Sequence, residues 1–235
     1  MKRSVVAQAA LFSLAGCAWL ENLLGHSREV SRSVPCGPEL IRNGSFELGP
    51  FAPKPPLESM LLHTRSTELT DWTITADVNE LEWLSNNNRF VLQTDPITDP
   101  DKKFLQLSGH THKDPFPAIA QEITLPSAGR YQLSLGLGKQ IIYVLGKPVA
   151  IPVAVDVAIS GGIDRRENFK TDAQVLDPNR GANWQPFTKE IDVGSSTGIQ
   201  LSFAAQPGQK DINFIGLDNV SVRQILPILD CPKDG

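Results

Sequence analysis

The sequence is poor in charge and has no basic surplus. Only 20% of its 235 residues are charged, and the formal net charge is −4. A weakly acidic chain lacks the basic surface that nucleic-acid binding requires, so the charge balance argues against nucleic acid as a partner. The sequence also has no phosphate-binding loop, no redox cysteine pair and no dinucleotide-binding fingerprint.

Helical periodicity is missing as well. The chain contains 18 glycines and 18 prolines, and its 40% hydrophobic content is enough for one core. Apolar and polar residues alternate, which is typical of half-buried strands. The sequence therefore predicts a single all-β domain, a jelly-roll sandwich of about ten strands. They are expected within Glu39–Glu47, Asp71–Ala76, Glu80–Leu84, Phe104–Leu107, Ala118–Leu125, Tyr131–Leu137, Val153–Ile159, Trp184–Val193, Gly198–Ala205 and Phe214–Arg223.

The longest apolar stretch, Ile141–Ile159, does not fit a membrane helix. Gly146, Lys147 and two prolines interrupt it, so strands with a turn at Gly146-Lys147 are the better interpretation. The proline-rich stretch Leu48–Thr70 predicts a long surface loop, with a helical turn near Leu57–His63.

The N-terminus has the pattern of an export signal. Lys2 and Arg3 precede a short apolar stretch, Val5–Gly16, which falls well below the ~20 residues of a membrane-spanning helix. The stretch ends in Leu-Ala-Gly-Cys, which resembles the bacterial lipobox, so Cys17 is expected to carry the lipid. A soluble-secretion cut after Ala18 is the alternative.

This signal predicts the domain plan and the localisation. Residues 1–17 would form the signal peptide, residues 18–38 a tether, and residues 39–231 the jelly-roll domain. The protein is then expected at the outer membrane or cell surface, attached to the membrane only through its lipid. A periplasmic or extracellular location follows from the alternative cut.

Two further cysteines flank the expected domain. Cys36 precedes it and Cys231 closes it, and exported proteins tolerate disulfides. A Cys36–Cys231 bridge would stabilise the fold by roughly 2–4 kcal/mol. Two free thiols are the alternative.

Six motifs follow one another in an order that resembles a known group of domains. The group is that of the galactose-binding-like jelly rolls, in particular the domain of unknown function 642, together with related carbohydrate-binding modules. The resemblance covers residues 39–224. It implies a non-catalytic domain that binds a polysaccharide or other glycan. The motifs are Leu40–Glu47, Asp71–Ile74, Leu81–Trp83, Leu105–Gly109, Ile119–Leu133 and Ile215–Val222.

The same resemblance implies a structural calcium ion. Glu47 and Asp218 match positions that bind Ca²⁺ in the similar modules, and Ca²⁺ takes 6–8 oxygen ligands. The alternative without a metal has Asp218 and Asn219 in a turn, with Glu47 in solvent or paired with a lysine.

Aromatic side chains are the candidate sugar contacts, because sugar C–H faces stack on aromatic rings. Trp83 and Trp184 are the expected platforms, and Tyr143 is a further candidate. Trp72 alternates with apolar neighbours and is expected in the core.

Other constellations favour ordinary loops. His110 and His112 would need a third ligand to hold a transition metal. The three aspartates at 95, 99 and 101 lack the spacing of a calcium loop. Gly194–Gly198 has the Gly-x-Ser-x-Gly pattern of hydrolases, but a strand follows it where a helix is required, so it predicts a hairpin turn.

The sequence leaves three candidate functions. The first is a lipid-anchored, non-enzymatic carbohydrate-binding surface protein. The second is a structural or adhesive protein that binds protein partners. The third is a polysaccharide hydrolase, which would need two carboxylates about 5–10 Å apart across a cleft.

Overall fold

The computed structural model describes residues 33–52, 59–75, 81–85, 103–107, 118–162, 164–176, 182–206 and 214–232. The signal peptide with Cys17, most of the expected tether, the two loop histidines and the aspartates at 95, 99 and 101 lie outside these ranges. The described part of the chain forms thirteen strands and one turn of 3-10 helix at Ile228–Asp230. The strands are β1 Ser33–Glu39, β2 Ser59–Leu62, β3 Thr73–Ile74, β4 Leu81–Ser85, β5 Lys103–Gln106, β6 Ala118–Thr124, β7 Arg130–Val144, β8 Lys147–Ala150, β9 Ala154–Ser160, β10 Arg165–Lys170, β11 Ala182–Asp192, β12 Gly198–Ala205 and β13 Ile215–Pro227.

The strands build two antiparallel sheets of a jelly-roll β-sandwich, which confirms the expected fold. The larger sheet has the order β11-β7-β13-β5-β4-β2, and two further strands join it, β1 beside β13 and β8 beside β7. The smaller sheet has the order β10-β9-β12-β6-β3. Consecutive strands such as β6 and β7 lie in different sheets, so the chain crosses between layers.

The core lies between the two sheets because each strand turns alternate side chains inward. Leu133 and Leu135 of the larger sheet and Val157, Leu201 and Phe203 of the smaller one belong to the same buried cluster. Burying a side chain of this size stabilises the fold by about 1.5–3 kcal/mol. The period-two pattern of the sequence is thus the direct cause of the sandwich.

The two ends of the domain lie side by side. β1 runs antiparallel to β13, with Ser33 opposite Pro227. Cys36 and Cys231 are joined in a disulfide, with Cα atoms 5.5 Å apart, which confirms the predicted bridge. Strand β1, Ser33–Glu39, lies mostly within the segment expected to be the tether, residues 18–38.

Three local expectations were wrong. The segment expected to hold a helical turn contains strand β2, because Ser59–Leu62 pairs with β4. Of the short strand and turn expected in Glu39–Glu47, the turn is present, but the strand, β1, already ends at Glu39. The hairpin turn after β7 consists of Leu145 and Gly146, one residue earlier than expected.

The Gly194–Gly198 segment is a turn, but not the turn of a hairpin. It connects β11 of the larger sheet to β12 of the smaller one. A strand follows it, as the sequence indicated, so the local structure is not that of a hydrolase nucleophile. Within the described residues, no helix has the length and apolar character that crossing a membrane requires.

Candidate functional site

One cross-strand row runs over the outer face of the larger sheet. Trp184 in β11 lies opposite Gly138 in β7, and Gly138 lies opposite Gly216 in β13. Gly216 in turn lies opposite Gln106 in β5, and Gln106 lies opposite Glu82 in β4. Residues opposite one another in a sheet project from the same face. We call the row Glu82–Gln106–Gly216–Gly138–Trp184 the glycine row.

Glycines let the Trp184 indole lie against the backbone of the sheet. A Cβ atom at Gly138 would stand 3.1 Å from both Cε2 and Cζ2 of the indole, and a Cβ at Gly216 would stand 2.9 Å from Cη2. At Gly136, two residues before Gly138 in β7, a Cβ would stand 3.5 Å from Cε3. The six-membered ring of the indole therefore covers three glycines, and a side chain at Gly138 or Gly216 would displace it.

Aromatic neighbours fix the edge of the indole. The Phe104 ring meets Trp184 edge-on, with centroids 5.6 Å apart and an interplanar angle of 73°. Phe214 meets Phe104 in the same way, at 6.0 Å. Leu84, Phe104 and Phe214 form a small buried cluster separate from the main core, and Trp184 packs against it while remaining partly exposed.

Two polar atoms near the indole lack a hydrogen-bond partner. Within the described part of the chain, the Trp184 Nε1 donor and the Gln140 Oε1 acceptor are shielded from solvent and unpaired. Gln140 follows Gly138 by two residues in β7, so both project from the same face. Leaving a buried donor or acceptor unpaired costs about 1–3 kcal/mol. A ligand group that both accepts and donates a hydrogen bond would satisfy this pair.

The other end of the glycine row is polar. Glu82 and Gln106 are buried on the outer face, and the Ser59 hydroxyl donates to Glu82 Oε1 at 3.4 Å. A buried carboxylate and a buried amide therefore lie beside the apolar cluster of Leu84, Phe104 and Phe214.

Trp83 is not a platform, contrary to expectation. Its side chain has no exposed surface, and its Nε1 donates to the Phe46 carbonyl at 2.9 Å. Neighbouring residues of a strand point to opposite faces, so Trp83 enters the core while Glu82 and Leu84 project outward. Trp72 is buried, as expected.

Tyr143 is exposed but lies apart from Trp184. Its side chain is 62% exposed, and it lies five positions beyond Gly138 in β7, in the part of the strand that pairs with β8. The structure does not bring the expected aromatic contacts together. Trp184 keeps the geometry of a platform, and Tyr143 belongs to a different surface.

The two expected calcium ligands have other contacts. Lys103 donates to Glu47 through its backbone N at 2.9 Å and through Nζ at 3.3 Å, and the Asn219 backbone N donates to Asp218 Oδ1 at 2.7 Å. Among the described residues, no group of three or more His, Cys, Asp or Glu side chains could hold a metal ion. An ammonium group beside Glu47 disfavours a cation there, and the calcium site stays a prediction.

The first and last of the six motifs touch each other. Val220 donates its backbone N–H to the Gly44 carbonyl at 2.9 Å. The Asn43 amide donates to the carbonyls of Leu48 and Thr70, both at 2.9 Å, and Phe46 is fully buried. The Asn-Gly-x-Phe motif therefore joins the two ends of the domain.

The sequence contained a signal for the site that the prediction missed. Glycines alternate with leucines at positions 136 and 138 of β7, and Gly216 stands in a buried strand. Glycine weakens a strand unless something approaches the backbone closely. The alternation indicates a face on which a ring can lie, but only the register shows that Trp184 is that ring.

The chain was compared with known proteins. The sequence matches no protein-family model and no curated protein, so the resemblance to family 642 stays a prediction. A carbohydrate-binding module of family 61 in complex with β-1,4-galactotriose is 13% identical, with a TM-score of 0.43, over 80% of this chain and 99% of that one.

Two other solved structures are also similar to this chain. The family 22 xylan-binding domain from Paenibacillus barcinonensis is 14% identical, with a TM-score of 0.40, over 81% of this chain and 96% of that one. A Stig cyclase from Fischerella sp. TAU is 13% identical, with a TM-score of 0.48, over 83% of this chain and 99% of that one. At these identities the function must be argued from the site itself.

Proposed function

We propose that this protein binds carbohydrate, without catalysis, along the glycine row. The observation that carries the proposal is the Trp184 indole, which lies on a floor of glycines and has an unpaired donor, on the same face of the sheet as the unpaired acceptor of Gln140. Tryptophan presents a broad apolar face and one donor, and carbohydrate presents apolar C–H faces and hydroxyl groups.

Trp184 and Gln140 each have a role in this proposal. The exposed surface of the Trp184 ring stacks on the C–H face of a sugar. A sugar hydroxyl accepts from Trp184 Nε1, and a hydroxyl donates to Gln140 Oε1, which removes the unpaired buried groups. Glu82 and Gln106, at the other end of the row, are buried, so the contact with sugar is made around the partly exposed Trp184 ring.

A binding assay with a Trp184 variant tests the proposal. The full chain is screened on arrays of plant and microbial polysaccharides, and hits are measured by calorimetry. Trp184→Ala is expected to weaken binding at least about tenfold, because stacking and one hydrogen bond are lost together. Tyr143→Ala is the matched aromatic control and leaves the affinity unchanged. Failure to bind any polysaccharide, or equal binding by Trp184→Ala, would overturn the proposal.

The conservative variant separates stacking from hydrogen bonding. Trp184→Phe keeps an aromatic face over the glycines but removes Nε1. We expect its affinity to fall between those of the native protein and Trp184→Ala, while Gln140→Ala weakens binding by a similar few-fold. Thermal melts of each variant show whether the fold is retained.

The absence of catalysis is part of the proposal. Hydrolysis of a glycoside uses two carboxylates on opposite sides of the scissile bond, and the glycine row has Glu82 as its one carboxylate. Any polysaccharide that binds should therefore be recovered intact. Release of new reducing ends, abolished in Glu82→Gln, would support the hydrolase alternative instead.

We also propose that the protein is exported and lipid-anchored through Cys17. The Cys36–Cys231 disulfide supports export, because such bonds persist in oxidising compartments. Metabolic labelling with a fatty acid should mark the native protein and not Cys17→Ser. An unlabelled mature protein that begins after Ala18 would support soluble secretion.

A further inference from the structure

A two-stranded ribbon extends past the last pairings of the larger sheet. In β7, the last residue paired with β13 is Lys139 and the last paired with β11 is Gln140. From Ile141 to Val144 the strand pairs with β8 alone among the described strands. We call Ile141–Ala150 the tip ribbon.

The tip ribbon exposes apolar side chains at its end. Leu145 is 98% exposed and Tyr143 is 62% exposed, while Val144 and Val149 are 47% and 41% exposed. Lys147 is the one charged residue in the sequence from Ile141 to Val155. An apolar, singly cationic tip is unusual for a surface hairpin, where polar turn residues are the rule.

Leu145 stabilises the folded domain very little. It has φ 51°, and Gly146 has φ 77°, as in a two-residue type I′ turn, where asparagine and glycine are preferred. Leucine at positive φ is strained, by about 1–2 kcal/mol. With its side chain almost wholly exposed, Leu145 gains no burial in return.

We infer that the tip ribbon inserts into the surface of a phospholipid bilayer. Leu145 and Val144 enter the boundary between headgroups and acyl chains, Tyr143 lies at headgroup level, and the Lys147 ammonium reaches lipid phosphates. Insertion buries the Leu145 side chain, which folding leaves 98% exposed.

A bilayer fits the tip ribbon better than a second copy of the chain does. A specific dimer interface engages roughly 20–30 residues on each side, whereas the tip presents four exposed apolar side chains. A two-stranded hairpin can enter a bilayer by several ångströms without a broad contact area. Its single positive charge complements anionic lipid.

The exposed tip residues, 143–149, do not belong to the glycine row, so lipid binding by the tip and glycan binding at Trp184 can be lost separately. β7 and β13 are antiparallel, so Ser33 and Pro227 lie at the end of the larger sheet opposite the tip ribbon.

Vesicle binding of a turn variant tests the inference. Vesicles of phosphatidylethanolamine with a minority of phosphatidylglycerol are incubated with the full chain and sedimented. Leu145→Asn is expected to lower the bound fraction at least about tenfold, because the apolar anchor is lost. It should also leave the melting temperature unchanged or higher, since asparagine suits positive φ. Leu229→Asn is the matched control, because Leu229 is 86% exposed near Pro227.

A charge variant and a fluorescence measurement complete the test. Lys147→Glu should weaken binding to the anionic vesicles several-fold and have little effect on vesicles of phosphatidylcholine alone. In Tyr143→Trp, brominated lipids should quench the added emission. Equal sedimentation of the native protein and Leu145→Asn would overturn the inference. So would a native protein that fails to bind vesicles, or one that forms dimers dependent on Leu145.

Discussion

At the scale of single residues, Lys139 shows how this fold accommodates a charge. Its side chain is fully buried, and Nζ donates to Asp172 Oδ1 at 2.6 Å and to the Asp172 carbonyl at 3.0 Å. The Asp172 carboxylate is about half exposed. Hydrogen bonding from Lys139, together with the Gln174 backbone N–H, lowers the pKa of Asp172 below its ordinary value.

This lowered pKa predicts the pH dependence of stability. A carboxyl whose pKa is lower in the folded state stabilises the protein above its unfolded pKa, about 3.9. The contribution disappears as the pH falls through the folded value. Asp172→Asn should therefore melt at a lower temperature than the native protein at neutral pH, and the gap should close in acid. Melting curves over a pH series test this, and a gap that persists at low pH would contradict it.

Gly44 predicts a large effect from one added methyl group. A Cβ at this position would stand 1.9 Å from the Val220 carbonyl oxygen, which is backbone and cannot rotate away. Gly44→Ala should lower the free energy of unfolding by about 1–3 kcal/mol, the usual range for overpacking. Gly198→Ala is the control, since the nearest atom to its Cβ would be 3.5 Å away. Denaturant titration measures both, and equal effects would show that the contact relaxes.

The pair of Glu47 and Lys103 leads to a prediction about metal. The ammonium satisfies the carboxylate, so chelators should leave the melting temperature unchanged, and added Ca²⁺ should not raise it. Differential scanning fluorimetry in the presence of EDTA, and separately of added calcium, measures both effects on the melting temperature. A calcium-dependent rise that is lost in Glu47→Gln and Asp218→Asn would restore the site implied by the resemblance.

At the scale of elements, strands in which apolar and polar residues alternate clearly could be predicted from the sequence, and edge strands could not. The alternation of Tyr131–Leu137 and of Val153–Ile159 identified β7 and β9. β10 has the sequence Arg-Arg-Glu-Asn-Phe-Lys and one buried side chain, Phe169. It is an edge strand paired with β9 alone, and charge at an edge is a common protection against aggregation. β2 is only four residues long. Over so short a segment the periodicity of apolar residues cannot distinguish a strand from a helical turn.

The site was only partly predictable for a related reason. Trp83 and Trp184 both stand in alternating segments, and nothing local distinguishes them. Whether each tryptophan is buried in the core or lies on the outer face depends on which face of the larger sheet it occupies. A shift of one residue in register exchanges the two faces. Trp184 faces outward because it lies opposite Gly138, a fact about pairing between residues distant in sequence.

One side chain ties β1 to β13. The Glu39 carboxylate accepts from the backbone N of Ile41 and of Val222, and also from Ser221 Oγ and Arg223 Nε. Glu39→Ala leaves donors unpaired and should cost about 1–3 kcal/mol. Amide hydrogen exchange should accelerate in β1 before the rest of the sheet. Glu39→Gln, which keeps one acceptor, should rescue part of the loss. Uniform acceleration would contradict this local role.

At the scale of the whole molecule, the disulfide spans a sequence separation of 195 residues. The sequence predicted this bridge because the two cysteines flank one domain, and the pairing of β1 with β13 explains why they meet. The sandwich topology alone places the two ends of the domain side by side. The disulfide could therefore be predicted without knowing the register of the strands.

Removing the bridge should destabilise the domain as a unit. Cys36→Ala or Cys231→Ala should lower the free energy of unfolding by about 2–4 kcal/mol. The double variant should be no less stable than the worse single variant, since all three lack the same bond. Denaturant titrations of the three variants, with a reduced sample of the native protein, check this. A double variant with a much lower free energy of unfolding than either single variant would show that the cysteine side chains stabilise the domain by contacts other than the disulfide.

The position of β13 has a consequence for synthesis. In chain order β13 follows every other strand of the larger sheet, yet it lies between β7 and β5 in the middle of that sheet and also receives β1. The nascent chain cannot complete the larger sheet until β13 has left the ribosome. The strands made earlier therefore lack their central neighbour until β13 is available, so the larger sheet forms late.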